Sequence, residues 1–162
     1  MKPQLPDDFR DFLRFLGDER VEYLLIGGYA VGYYGHPRTT GDMDVWIALH
    51  PDNAARVVAA LHRFGFTHGE APEALFLQSG NIVRMGLPPM RIEILNQIDG
   101  VEFSDCYGRR ETVDWDGLMV PIISLADLLT NKRSTGRSKD LADVEALTDP
   151  EYPPEVSRRQ TE

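Results

Sequence analysis

The stretch from Tyr23 to Ile47 constrains this chain more than any other. Tyr23 to Ile26 is an apolar run of strand character that stops at Gly27-Gly28. A short helix, Ala30 to Tyr34, follows, and Gly35-His36-Pro37 ends it. A second strand then opens with Asp42 and Asp44, alternating with Met43, Val45 and Ile47. Strand side chains alternate between faces, so the two carboxylates share one face and the apolar residues the other. Carboxylates crowded on one face repel unless a cation stands between them. Hard divalent cations such as magnesium take oxygen ligands of this kind. Glycines at a strand-to-helix turn let backbone amides approach a phosphate, and the helix start behind them favours negative charge. Together these features suggest a nucleotide–magnesium site.

The same residues carry a family resemblance. Ile26-Gly27-Gly28, the intervening segment Tyr29 to Gly41, and Asp42-Met43-Asp44-Val45 resemble the signature of the DNA polymerase β-like nucleotidyltransferases. Arg38-Thr39-Thr40, just ahead of the carboxylates, resembles the small single-domain bacterial branch, which includes AbiEii-type nucleotidyltransferase toxins. A second match lies later. Lys132 on a helix, then Arg137-Ser138-Lys139-Asp140-Leu141-Ala142-Asp143, is similar to the C-terminal part of these enzymes. The resemblance spans residues 20 to 148. It implies a minimal nucleotidyltransferase fold of α/β (α+β) class: a small mixed sheet, central Asp-x-Asp strand, and helices packed mainly on one face.

The bounds of the chain agree with this. At 162 residues it reads as one domain, residues 1–148, with a loose tail over 149–162 that holds Pro153-Pro154 and mixed charge. Hydrophobic residues make up 42% and charged residues 27%, so a packed core is expected rather than disorder. No apolar run approaches the ~18 residues of a membrane span, and the N-terminus shows no apolar signal region. The single cysteine, Cys106, excludes an internal disulfide and a cysteine zinc cluster and points to the cytoplasm. The net charge of −9 argues against a protein that coats nucleic acid. Basic residues nevertheless gather late, at Arg109, Arg110, Lys132, Arg133, Arg137 and Lys139.

The remaining elements follow from periodicity and punctuation. Phe9, Phe12, Leu13 and Leu16 give Pro6–Glu19 an apolar helical face. Val21–Ile26 and Asp42–Leu49 are the two strands of the opening unit. Asp52 or Asn53 begins a helix that runs to Phe64 and ends at Gly65. Leu75–Gln78, Ile82–Met85 and Arg91–Leu95 read as short strands with turns at Gly80-Asn81 and Pro88-Pro89. Val101–Arg110 reads as a helix. Glu111–Trp115 and Leu118–Ile122 form a hairpin across Asp116-Gly117. Ser124 with Asp127 opens a helix over Leu125–Arg133, and Ser138 caps a last helix, Lys139–Leu147.

In Arg91–Leu95, Glu93 faces away from Ile92 and Ile94. In the family a third carboxylate sits on such a strand, and Glu93 takes the matching place. The resemblance then implies two magnesium ions held by Asp42, Asp44 and Glu93, with Glu93 able to take the acceptor's proton. It implies that Lys132 contacts the nucleotide phosphates. The backbone amides of Gly27 and Gly28 and the Arg38 guanidinium are placed to meet those phosphates too, and Thr39 and Thr40 either donate to them or fix the loop. Asp143 or Asp140 orients Lys132 by an ion pair, and Asp143 is preferred because an acid in the first helical turn, as at Asp140, already serves the helix start. Tyr33 or Tyr34 could stack on a base or pack in the core. The expected reaction moves a nucleoside monophosphate from an NTP to an acceptor and releases pyrophosphate. The acceptor is a tRNA 3′ end if the chain is toxin-like, with a cognate antitoxin or second subunit as partner. The other readings are transfer to a small molecule or a protein hydroxyl, and a catalytically silent module of the same fold.

Overall fold

The computed structural model describes residues 3–36, 41–66, 69, 71–87 and 90–149. Arg38, Thr39 and Thr40, the Pro88-Pro89 turn and nearly all of the expected tail lie outside the described residues. In chain order the elements are α1 (Asp7–Asp18), β1 (Tyr23–Ile26), α2 (Gly27–Tyr33), β2 (Asp42–Ile47), α3 (Pro51–Phe64), α4 (Ala74–Leu77), β3 (Ile82–Met85), β4 (Arg91–Leu95), α5 (Phe103–Gly108), β5 (Glu111–Trp115), β6 (Leu118–Ile122), α6 (Leu125–Thr135) and α7 (Ser138–Thr148). The strands form one mixed sheet in the order β3-β4-β2-β1-β6-β5. The β2–β4 and β1–β6 pairs are parallel; the others are antiparallel. β2 is therefore interior, flanked by β1 and β4. No helix among the described residues is long and apolar enough to cross a membrane.

The core forms where the periodicities place apolar residues. Phe9, Phe12, Leu13 and Leu16 of α1 are all buried. α1 packs on α3 and β6, and the rings of Phe12 and Phe64 meet edge-on at 5.5 Å. Met43, Val45 and Ile47 are buried, as the alternation in β2 requires. Trp46 is buried too, although it shares a face with Asp42 and Asp44. Its ring meets Phe103 of α5 edge-on at 5.1 Å, so α5 covers that end of the carboxylate face. Tyr34 is fully buried and donates its hydroxyl to the Ile123 carbonyl at 2.7 Å, which makes it a core residue rather than a base platform. Tyr33 packs against Tyr34 and Trp115. The hairpin turns on Asp116 (φ 54°) and Gly117 (φ 89°), both in the left-handed region that two-residue hairpins need.

Four local expectations are corrected. Leu75–Gln78 is not a strand: Ala74–Leu77 is one helical turn. Amides of Leu75 and Phe76 close on the carbonyls of Pro72 and Glu73, and the Asn96 side chain donates to the carbonyls of Phe76 and Gln78. A short apolar run does not distinguish the two states, and here long-range hydrogen bonds from Asn96 settle it. The cap of α3 is His50, whose Nδ1 accepts from the Asn53 amide, with Pro51 at the first helical position. Asn53 has a larger task. Its buried side chain accepts from the Glu22 amide (2.8 Å) and donates to the carbonyls of Glu22 (3.1 Å) and Ala48 (2.9 Å), joining the start of β1 to the end of β2. α7 begins at Ser138 with Arg137 in the cap position and no side-chain cap. α2 begins at Gly27, so the glycine pair is the first turn of the helix rather than a separate turn before it.

Candidate active site

Register brings the carboxylates together. Ile26 of β1 pairs with Asp44 of β2, Asp44 with Glu93 of β4, and Glu93 with Arg84 of β3. These four residues form one row across the sheet. Asp42 stands in the neighbouring row opposite Arg91. This face is the floor of a cleft of about 870 Å³. Gly27, Gly28, Asp42, Asp44, Glu93 and Lys132 all line it, with Arg137, Lys139 and Asp140 from the α6–α7 region. Asp143 is buried behind Lys132.

Asp44 is the strained member. One of its oxygens, Oδ1, is buried and has no hydrogen-bond partner among the described residues. Burial raises its pKa most; the Glu93 carboxylate, within hydrogen-bonding reach, and then Asp42 raise it further, and Lys132 opposes them. The result is pushed up to about 7. A buried, unsatisfied carboxylate oxygen is costly unless something meets it. Gly27 forms the wall beside it. Its φ is 69°, and a Cβ there would overlap the Asp44 carboxylate. Glycine is thus required twice, by backbone conformation and by space. Three carboxylates lining one cleft, an orphaned oxygen and a wall without a side chain offer the oxygen donors a divalent cation takes. The carboxylates are not in a ligating arrangement as they stand: among the described residues no three such groups already converge on one point. Arg91 explains why. Its Nη2 is 3.2 Å from Asp42 Oδ2 and 3.2 Å from Glu93 Oε1, and Arg84 Nε is 3.1 Å from the same Glu93 oxygen.

Lys132 is buried at the end of α6. Its Nζ is 2.8 Å from Asp140 and 3.0 Å from Asp143. The expected pair with Asp143 is present, and Asp140 shares the lysine equally. Asp140 also accepts from the Thr135 hydroxyl (2.7 Å) and Arg137 Nε (2.8 Å). Burial alone would raise its pKa, but the hydrogen bonds from Lys132, Thr135 and Arg137 hold it down to about 2. Inside the fold Lys132 serves both buried carboxylates, and the exposed Arg137 side chain adds a second positive charge at Asp140.

Sequence reasoning missed Arg91, Arg84 and the role of Asp140. The signal for Arg91 was present: it stands two residues before Glu93 in an alternating strand, so it faces the same way. Arg84 needed the β3–β4 register, which depends on a turn the sequence leaves open. For Asp140 the local pattern is already satisfied, because an acid belongs in the first turn of a helix.

No family model matches the chain, and no curated protein matches it in sequence. Its fold is similar to that of a crystal structure from Thermotoga maritima, provisionally described as a nucleotidyltransferase. The two superpose with a TM-score of 0.57 at 16% identity, over 84% of this chain and 87% of that one. At that identity the likeness is one of fold: this chain has the mixed-sheet fold of that protein.

Proposed function

We propose that this chain is a magnesium-dependent nucleotidyltransferase of the small single-domain branch resembling AbiEii-type toxins. The observation that carries the reading is the row formed by Asp44 and Glu93 with Asp42 beside it, closed by Gly27 and leaving Asp44 Oδ1 without a partner among the described residues. Asp42, Asp44 and Glu93 would hold the metal. Bound there, magnesium would offset the carboxylate charge and activate the acceptor hydroxyl. The protein's own residues do the rest. Gly27 and Gly28 present backbone to the phosphates along the cleft wall. Lys132, fixed by Asp140 and Asp143, places positive charge beside them. The acceptor oxygen forms a bond to the α-phosphorus as the bond to the bridging oxygen breaks and pyrophosphate leaves. Glu93 takes the acceptor's proton.

For a toxin-like enzyme the acceptor is a tRNA 3′ end. Arg137 and Lys139 at the cleft, with exposed Arg133 nearby on α6, supply the local positive charge such a backbone needs. A cognate antitoxin or a second subunit would be the protein partner. The silent-module reading draws on one observation, the engagement of Asp42 and Glu93 by arginines.

Equilibrium binding tests the metal-dependent nucleotide site on which the enzyme reading rests. A non-hydrolysable NTP analogue is titrated by calorimetry with and without magnesium, for wild type and Glu93→Gln. The enzyme reading expects binding strengthened at least about tenfold by magnesium, and most of that gain lost in the variant. Magnesium-independent binding, or none, contradicts it.

A further inference from the structure

We propose that Arg91 is an internal counter-cation of the carboxylate cluster: its guanidinium occupies the ground between Asp42 and Glu93 and competes with a divalent cation for those two ligands. This rests on the metal-dependent reading above. A single nitrogen, Nη2, reaches both carboxylates, at 3.2 Å each. Opposite charge at that distance between two acids does what a bridging metal would do, with one positive charge in place of two.

The geometry is that of a contact built to be given up. Arg109 and Asp127 show what a structural arginine pair looks like in this molecule: two parallel bonds, Nε to Oδ2 at 3.0 Å and Nη2 to Oδ1 at 2.9 Å. Arg91 makes no such fork. It touches each carboxylate through the same nitrogen, and its buried Nε has no acceptor among the described residues. Arg84 adds a second guanidinium to the Glu93 oxygen that Arg91 already holds. Neither arginine satisfies Asp44 Oδ1, so the charge they bring sits to one side of the cluster. A cation ligated by Asp42, Asp44 and Glu93 would meet all three acids but must first displace Arg91. Arg91 therefore sets the divalent-ion concentration at which the site loads.

Manganese is the probe, and its free signal in electron paramagnetic resonance is the readout. Wild type, Arg91→Gln and Asp44→Asn are titrated at fixed ionic strength, with circular dichroism melts alongside. Removing a competing charge from this position should tighten Asp44-dependent manganese binding at least about fivefold in Arg91→Gln. A purely structural arginine would lower the melting temperature and leave affinity unchanged or weaker; that result overturns the inference while leaving the metal site intact. Absence of Asp44-dependent binding in both wild type and Arg91→Gln overturns the metal reading and the inference with it. Should Arg91→Gln fail to fold, the comparison passes to Arg84→Gln, whose side chain is half exposed. Its binding should tighten about twofold, and unchanged binding counts against the proposal.

Discussion

Asp44 shows how one residue can carry an electrostatic cost in the fold and stand in the candidate site. Its folded-state pKa of about 7 lies far above the ~3.9 of an unfolded aspartate. Below about pH 4 both states hold the proton and the residue costs nothing. As pH rises from about 4 to 7 the unfolded chain releases its proton while the folded one retains it, so stability falls, by up to about 4 kcal/mol. Above about pH 7 the loss is complete. Asp44→Asn should therefore raise the melting temperature at pH 8 by several degrees and change it much less at pH 4.5. A thermal melt series across pH checks this, and an equal effect at both ends would refute the origin given for the strain. Added magnesium should shrink the difference at pH 8 in wild type, because a bound cation meets the charge that burial penalises. At Gly27 both conformation and space forbid a side chain, so Gly27→Ala should lower stability by roughly 1–3 kcal/mol and weaken NTP binding more than tenfold. Calorimetry on the folded fraction reads both.

At the scale of elements, two buried polar clusters hold the frame of the site. Asn53 joins β1, β2 and α3 through three side-chain hydrogen bonds. Asn53→Ala should cost about 2–4 kcal/mol in urea unfolding, with the slope unchanged. The Lys132–Asp140–Asp143–Arg137 cluster joins α6 to α7. Lys132→Met leaves two buried acids without their cation and should cost about 3–5 kcal/mol at pH 7. Because the pKa of Asp140 is depressed, its contribution is complete above about pH 4 and disappears as pH falls towards 2. The elements themselves were mostly legible. Alternation in β2 and β4 and the three- and four-residue spacing of α1 and α3 report which side is buried, and burial is what decided them. The misread segments were those decided by side-chain partners outside their own element's period. α4 depends on Asn96, and Asn53 acts through Glu22 and Ala48. Asp140 answers to Lys132 and Thr135 as well as to its own helix. A local pattern carries no record of such partners.

Across the whole molecule, the site exists because strand order converts distant residues into one row. Asp42 and Asp44 were visible as a pair, and Glu93 as their candidate third. The parallel β2–β4 register sets Asp44 directly opposite Glu93. That same register sets Arg91 against Asp42, which no reading of the carboxylates alone anticipates. With the chain at −9, the proposed RNA contact would draw on the basic strip from Arg133 to Lys139. RNA binding through that strip should weaken steeply with salt, and substituting Arg133 and Lys139 together should flatten the slope by about 2 in a log–log plot, as counter-ion release requires.

Transfer itself is the most direct test. Each α-labelled NTP is incubated with magnesium, total tRNA and either wild type or Asp44→Asn. The account predicts label on RNA with wild type, at a rate at least about a thousandfold above the variant. Equal label with both proteins, or none with either while the NTP remains unbound, would contradict it.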